Sequence, residues 1–260
     1  MKKQQNEHMI LRLRIWWICL FIVCPVLTYA QESPAKRYRE QHYFDVALAG
    51  ADGRFSTALS WNHLHGIGKK KQKLQIGYGL RFTNFIAANK YFTTAPAEYT
   101  SDVQGVGTIF SETIEENIDT ITTATALTFS LNLALYIQYT LTPKIDVGCN
   151  IDVIGFSFGP SKSFNVISSV YDAGQEPVQR ASPTAFNLLL TSDNDIGSLN
   201  SEFYARYKFN SKFSVRAGYA FLFSEYQTDN SLSFDDGRIV NDRYRYKASM
   251  GFVGVTFKPF

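Results

Sequence analysis

Hydrophobic and polar side chains alternate without interruption over the 16 residues from Leu127 to Thr142. The odd positions carry Leu, Phe, Ile or Tyr, whereas most even positions carry Thr, Ser, Asn, Gln or Ala. A repeat of two residues is the period of a β-strand with one apolar face. Strands of globular proteins usually contain about 3–10 residues. The longer pattern therefore favours a strand that crosses a membrane and projects beyond it.

Seven further segments show the same alternation. The eight predicted strands lie near residues 42–51, 54–64, 72–87, 121–142, 144–159, 196–210, 212–226 and 241–258. Tight turns at Pro143 and Ser211 join two pairs of strands, whereas 88–120 and 160–195 are long connections. Outer-membrane barrels have short periplasmic turns and long external loops. We therefore predict an all-β fold, a closed antiparallel up-and-down transmembrane β-barrel with eight strands; ten strands, with an extra hairpin near 185–190, are the alternative.

A soluble β-sandwich or lipocalin-like barrel could show the same alternation with its apolar face turned inward. Three features favour the membrane version. Aromatic side chains such as Tyr43, Trp61 and Tyr244 cluster near the predicted strand ends, where the membrane interfaces would lie. The alternation of long and short connections has no reason to exist in a sandwich. Phe260 also follows directly on an alternating strand.

The N-terminal 30 residues have the pattern of a secretory signal. Basic residues at positions 2, 3, 12 and 14 precede an apolar run from Ile15 to Leu27, and small residues at Thr28 and Ala30 fit a signal-peptidase site. An uncleaved anchor is the alternative, although the run is shorter than the roughly 20 residues that span a bilayer. We predict a signal peptide over 1–30, a periplasmic lead-in over 31–41 and a barrel domain over 42–260.

With its alternating strands, predicted signal and terminal Phe260, the chain resembles the small single-domain outer-membrane β-barrel proteins of Gram-negative bacteria. The resemblance covers nearly all of residues 40–260 and implies a location in the cell outer membrane. It lies in the pattern alone, and no motif narrows it to one member. No functional residues are therefore carried over from the class.

Removal of the predicted signal changes the charge of the chain. Of 26 basic and 23 acidic residues, four and one lie in the first 30, which leaves 22 of each sign. A neutral chain lacks the basic surface that nucleic acids need, so we expect no nucleic-acid partner. Cys149 is the one cysteine after residue 30, so no intramolecular disulfide is expected.

If the apolar faces contact lipid, the opposite faces bring both acidic and basic side chains into a narrow lumen. The predicted interior polar cluster is Arg81, Asp146, Asp152, Glu202, Arg206 and Arg216, with Lys208 beside it and Arg243, Arg245 and Lys247 on the last strand. Isolated buried charges are very unfavourable. We expect Asp146, Asp152 and Glu202 to pair with Arg206 and Arg216 and to plug the barrel. The alternative is a selectivity ring in an open channel of ten or more strands.

Candidate chemistry is sparse. His42, His63 and His65 are the histidines after residue 30, and the last two share one face at the predicted periplasmic rim. Two imidazoles could bind a metal only if a third ligand converged on them, so we expect structural or solvent-facing roles. No Gly-x-Ser-x-Gly, HExxH or glycine-rich phosphate loop is present. We predict no catalytic, cofactor or metal residues and no enzyme.

The connections predicted to face outward differ in charge from the predicted periplasmic link. Segments 88–120 and 225–242 are acidic, whereas the predicted periplasmic link at 69–73 contains four lysines. Acidic loops stay solvated and can contact the cation-bridged lipopolysaccharide layer. Divalent-cation or partner binding is the sharper interpretation, although no calcium-loop spacing is present.

Three functions remain open. The first is a non-enzymatic membrane protein that acts through surface loops, by adhesion, envelope integrity or docking to a secretion partner. The second is a narrow porin or transporter for small solutes, and the third is a lipid-acting enzyme. We expect a monomer that contacts outer-membrane lipids and lipopolysaccharide, with a possible envelope or secretion protein as partner.

Overall fold

The computed structural model describes most of the predicted barrel domain. The described residues are 40–68, 73–96, 99, 118–168, 171–172, 174–190, 194–234 and 236–259. The predicted signal peptide, most of the lead-in and Phe260 lie outside them. Among the described residues, no helix is long and apolar enough to cross a lipid bilayer.

Eleven strands follow one another along the described chain. They are β1 (Glu40–Ala51), β2 (Arg54–Ile67), β3 (Leu74–Thr94), β4 (Thr120–Thr142), β5 (Ile145–Phe158), β6 (Lys162–Ile167), β7 (Val178–Pro183), β8 (Phe186–Leu188), β9 (Asn200–Lys208), β10 (Phe213–Phe234) and β11 (Ile239–Phe257). Eight of them, β1 to β5 and β9 to β11, pair antiparallel in chain order, and β11 pairs back with β1. The predicted closed eight-stranded barrel is confirmed. In the ten-strand alternative 185–190 would supply a further hairpin, but the short β8 pairs with β5 and lies outside this ring.

The barrel has its apolar side chains outside. On β4, Leu131, Leu133 and Ile137 are exposed, whereas Asn132 and Gln138 are buried. The neighbouring strands show the same division, so the outer wall is a band of exposed Leu, Ile, Val, Phe and Tyr. Such a surface is stable in lipid and not in water. This orientation identifies the barrel as a membrane-spanning one and not a soluble sandwich.

A second, narrower ring continues the barrel beyond the turn between β1 and β2. There β3 pairs directly with β11, through Thr94 and Tyr244. On the opposite side the β6–β7 hairpin joins β4 to β10 above the ends of β5 and β9. The ring β3-β4-β6-β7-β10-β11 is closed and has six strands; we call it the collar. It lies on the side away from the turns at Pro143 and Ser211, the start of β1 and the end of β11, which the topology assigns to the cell exterior.

The collar corrects the prediction that 88–120, 160–195 and 225–242 are loops, because each contains strand residues. The physical reason is a change in phase along the strands. On β3 the buried positions are odd as far as Ala87 and even from Phe92 onward, and Asn89 between them has a positive φ of 51°. On β4 the buried positions are odd as far as Thr123 and even from Ala126 onward. A search for unbroken alternation therefore ends the strand too early.

Candidate functional site

The structure places all six residues of the predicted polar cluster inside the barrel, each with an exposed fraction of 2% or less. Arg81 contacts Asp152 at 2.6 Å and Glu202 at 3.4 Å, and Arg216 contacts Glu202 at 2.5 Å. Glu202 therefore lies between two guanidinium groups. Four of the six charged residues, Glu202 included, form one continuous chain of ion pairs, Asp152–Arg81–Glu202–Arg216.

Asp45 on β1 is the member that the prediction missed. Arg206 and Arg216 face each other across the β9–β10 hairpin, as expected, and the carboxylate between them is Asp45, at 3.7 and 3.6 Å. Phe44 and Val46 on either side of it are exposed to lipid. The alternation on β1 therefore points Asp45 inward, and this signal could have identified it.

Two of the expected pairings are wrong. Asp152 pairs with Arg81 and not with Arg206 or Arg216. Asp146 contacts Lys208 at 2.6 Å, although its register partner across the β5–β9 pair is Arg206. The physical reason is the length of the arginine side chain. Arg206 reaches across the lumen, and its guanidinium carbon lies 4.4 Å from the centre of the Tyr43 ring on β1.

Asparagine amides add hydrogen bonds to these charges, although the Nε atoms of Arg206 and Arg216 have no hydrogen-bond partner. Asn150 accepts a hydrogen bond from Arg81 at 2.6 Å and donates one to Glu202 at 2.8 Å. Asn132 donates to Asp152 at 2.8 Å and accepts from Asn187 at 2.7 Å. Buried ions are tolerated when their remaining donors and acceptors are satisfied in this way. The result is a connected polar plug across the lumen.

An aromatic layer closes the lumen a second time, in the collar. Phe92, Phe164 and Tyr226 are fully buried, and their ring centres lie 5.1–5.4 Å apart. The Tyr226 hydroxyl donates to the carbonyl of Leu127 at 2.9 Å, which ties the layer to the barrel wall. Aromatic pairs at these separations are favourable. The prediction missed this layer because Phe92 and Phe164 belong to segments assigned to loops.

Little free space separates the polar plug from the aromatic layer. A void of about 10 Å³ lies there, lined by residues that include Thr83, Ser130, Asn200 and Ser224. A volume of this size holds about one water molecule. Between the polar plug and the aromatic layer, the lumen of the described residues is therefore filled by side chains.

The charged residues of β11 differ from the prediction. Tyr244 and Met250 are buried inside, so Arg243, Arg245 and Lys247 lie on the opposite, outward face, and Lys247 is exposed. The prediction that the face with these three cations lines the lumen is therefore wrong.

Glu225 is not a loop residue but a fully buried one on β10. Its carboxylate accepts hydrogen bonds from Arg243 at 2.9 Å, from Arg245 at 2.8 Å and from the Gly197 N–H at 3.1 Å. Arg245 also donates to the Asp195 carbonyl. This cluster fixes the segment before β9 against the outer wall of the barrel.

The three histidines lie together on the outward face at the periplasmic end. The ring centres of His42 and His63 are 4.2 Å apart, and those of His63 and His65 are 4.4 Å apart. Trp61 stacks on His42 at 6.0 Å. Among the described residues, no group of three or more His, Cys, Asp or Glu side chains is arranged to hold a metal ion. The stack belongs to the aromatic belt of the membrane interface.

Comparisons with known proteins find likeness only among solved structures. No protein-family model matches the chain, and no curated protein matches it. Neisserial surface protein A is 10% identical, with a TM-score of 0.34, 84% of this chain covered and 95% of that chain. The outer membrane protein Ail of Yersinia pestis is 10% identical, with a TM-score of 0.34 and coverages of 85% and 99%. A major outer membrane protein of Thermus thermophilus is 11% identical, with a TM-score of 0.37 and coverages of 85% and 100%.

Proposed function

We propose that this outer-membrane barrel acts without catalysis, through the surface of its collar and external connections. The role would be adhesion, support of envelope integrity or docking of a secretion partner. The observation that carries the proposal is the double closure of the lumen, by the polar plug and by the aromatic layer of the collar. A barrel closed in this way offers its outer surfaces, and not its interior, to other molecules.

The length of the collar strands supports a role outside the membrane. A transmembrane strand needs about 9–11 residues, whereas β3, β4 and β10 contain 21, 23 and 22 residues. About half of each strand is therefore available outside the bilayer. Because the collar is a closed ring whose buried core is continuous with that of the barrel, it presents a firm platform to the exterior.

The outward cations of β11 support lipopolysaccharide as a neighbour. Lys247 is exposed, and Arg243 and Arg245 outnumber the one carboxylate that they share, Glu225, at the level where the barrel passes into the collar. Phosphate groups of the outer leaflet would be attracted to such cations. A single copy completes the ring of eight strands and leaves no unpaired edge in it, which supports a monomer.

Single-channel recording in planar bilayers tests the closed lumen. We expect no steady conductance from protein whose folded state is checked by a change in gel mobility on boiling. A sustained open-channel current from the folded protein would contradict the proposal and favour the narrow-porin alternative.

The lipid A of cells with and without the gene tests the enzyme alternative. Because no catalytic group is part of the proposal, we expect identical mass spectra from the two strains. A lipid A species that is lost on deletion and restored by the gene would contradict a non-enzymatic role.

A further inference from the structure

A window opens in the collar wall between β7 and β10. These strands pair over three residue pairs, Ala181–Pro183 with Tyr226–Thr228. Above them β10 bulges, since its register with β11 is interrupted between Gln227 and Leu232. The two sides meet again at Gln175, whose side-chain amide donates to the Ser233 carbonyl at 2.7 Å and whose carbonyl accepts from the Ser233 N–H at 2.9 Å.

The window forms a cleft of about 340 Å³ on the outer surface. This volume lies at the lower end of the usual range for binding pockets. Its β7 side is formed by Val178 and Arg180, and its β10 side is formed by Asp229–Ser231, whose three residues are exposed. The Glu176 side chain adds a second carboxylate. None of the residues that line the cleft is aromatic, although aromatic stacking would be expected of a sugar site.

The β7 side of the cleft is an unpaired strand edge. The Thr184 N–H donates to Glu225 on β10, whereas the Pro177 carbonyl accepts from Val166 on the β6 side. Backbone groups of an antiparallel strand alternate between its two neighbours, so Val178 and Arg180 direct their N–H and C=O groups into the cleft. Continuation of the ladder would bring Arg180 opposite Asp229, but the β10 bulge interrupts the pairing there.

We propose that the cleft binds an extended polypeptide segment of a partner, which adds as a strand along Val178–Arg180. Strand addition to an exposed edge takes its affinity from main-chain hydrogen bonds and its selectivity from the side chains around it. Glu176 and Asp229 outnumber Arg180, so the cleft favours a segment with a basic side chain. This inference rests on the proposed role of the extracellular surface and names the chemistry of the partner.

Selection from a phage-displayed library of linear peptides, on the full-length barrel in nanodiscs, tests the proposal. We expect enriched peptides with alternating side chains and a basic residue. Arg180→Pro removes the N–H that points into the cleft and leaves the ladder to β6 intact. It should weaken binding of these peptides by about tenfold, the effect of one lost hydrogen bond.

Arg180→Ala is the matched control, because it removes the same side chain and keeps the N–H. We expect it to bind an enriched peptide whose basic residue is replaced by glutamine like the wild type, and N-methylation of alternate residues of that peptide should abolish binding. Failure to enrich any peptide, or peptides that bind Arg180→Pro as well as Arg180→Ala, would overturn the strand-addition proposal. Either result is independent of the conductance and lipid A measurements, which test the proposed function itself.

Discussion

At the level of single residues, carboxylates shared between arginines organise the lumen. Glu202 lies between Arg81 and Arg216, and Asp45 lies between Arg206 and Arg216. Buried ions gain little net stability over a well-packed apolar core, but removal of one shared carboxylate leaves an excess of buried positive charge. Each shared carboxylate therefore affects stability more than its single negative charge suggests.

Glu202→Ala is expected to destabilise the barrel strongly. The substitution leaves two buried guanidinium groups without their common partner, and the loss from such a broken buried pair is about 3–5 kcal/mol. Denaturant unfolding in detergent micelles measures it. Asp52→Ala is the control, because the Asp52 side chain is fully exposed and its contact with Lys90 is 3.7 Å; a surface pair contributes about 0–1 kcal/mol. Equal unfolding midpoints for the two variants would contradict the polar plug.

Asp119 is expected to make the collar sensitive to pH. Burial raises the pKa of its carboxyl group, and a hydrogen bond from Ser168 opposes part of this rise. An acid whose pKa is higher in the folded state binds its proton first in that state. Acidification through the raised pKa therefore stabilises the folded collar, and the ionised carboxylate opposes folding at neutral pH.

Asp119→Asn should remove this dependence. We expect the variant to melt at a higher temperature than the wild type at neutral pH. This difference in melting temperature should disappear at about pH 4, the ordinary pKa of an aspartate. Thermal unfolding followed by near-ultraviolet circular dichroism, which reports on packed aromatic side chains, measures both proteins. Parallel pH profiles for the wild type and the variant would show that Asp119 is not the responsible group.

The partners of the lumen charges could not be predicted from the sequence. Alternation along each strand shows that Asp146, Asp152 and Glu202 face inward, and the structure places them there. Which cation each one meets depends on the stagger between strands and on the reach of long side chains. Asp146 is opposite Arg206 in register yet contacts Lys208. The alternation of polar and apolar residues along a strand does not determine this choice of partner.

At the level of strands, an unbroken alternation predicts position well and a broken one hides it. The strand predicted at 42–51 is found at Glu40–Ala51, and the one predicted at 121–142 is found at Thr120–Thr142, where alternation is unbroken from Ala126 to Tyr139. The strand predicted at 72–87 continues instead to Thr94, beyond the change of phase at Asn89. The short β6 and β7 are stable only because the collar core covers one face of each, and a local pattern does not show this.

Phe164→Ala is expected to release the β6–β7 hairpin while the barrel stays folded. Phe164 is fully buried against Phe92 and Tyr226, and loss of such a ring destabilises by about 3–5 kcal/mol. Limited proteolysis should therefore cleave the 160–195 region faster. Tyr91→Ala is the control, since Tyr91 is 62% exposed on the same collar. Equal cleavage rates for the two variants would contradict the collar core.

At the level of the whole molecule, eight strands around a charged plug continue into six strands around an aromatic core. The apolar band outside and the ionic network inside follow directly from alternation, which explains why the barrel was predictable. The collar depends on contacts between strands that are distant in sequence, such as β3 with β11 and β7 with β10. It therefore emerges only from the three-dimensional structure.

The accessibility of two neighbouring positions on β4 tests the central claim most directly. Ser130 is buried in the lumen and Leu131 is exposed on the outer wall. Each would be replaced by cysteine in a Cys149→Ser background, and the barrel reconstituted in lipid vesicles. We expect Ser130→Cys to resist a charged, water-soluble thiol reagent until the protein is unfolded, and Leu131→Cys to react only with a lipid-soluble reagent. Rapid reaction of Ser130→Cys with the charged reagent would show a water-filled lumen, and an exchange of the two reactivities would show a barrel with its apolar face inside.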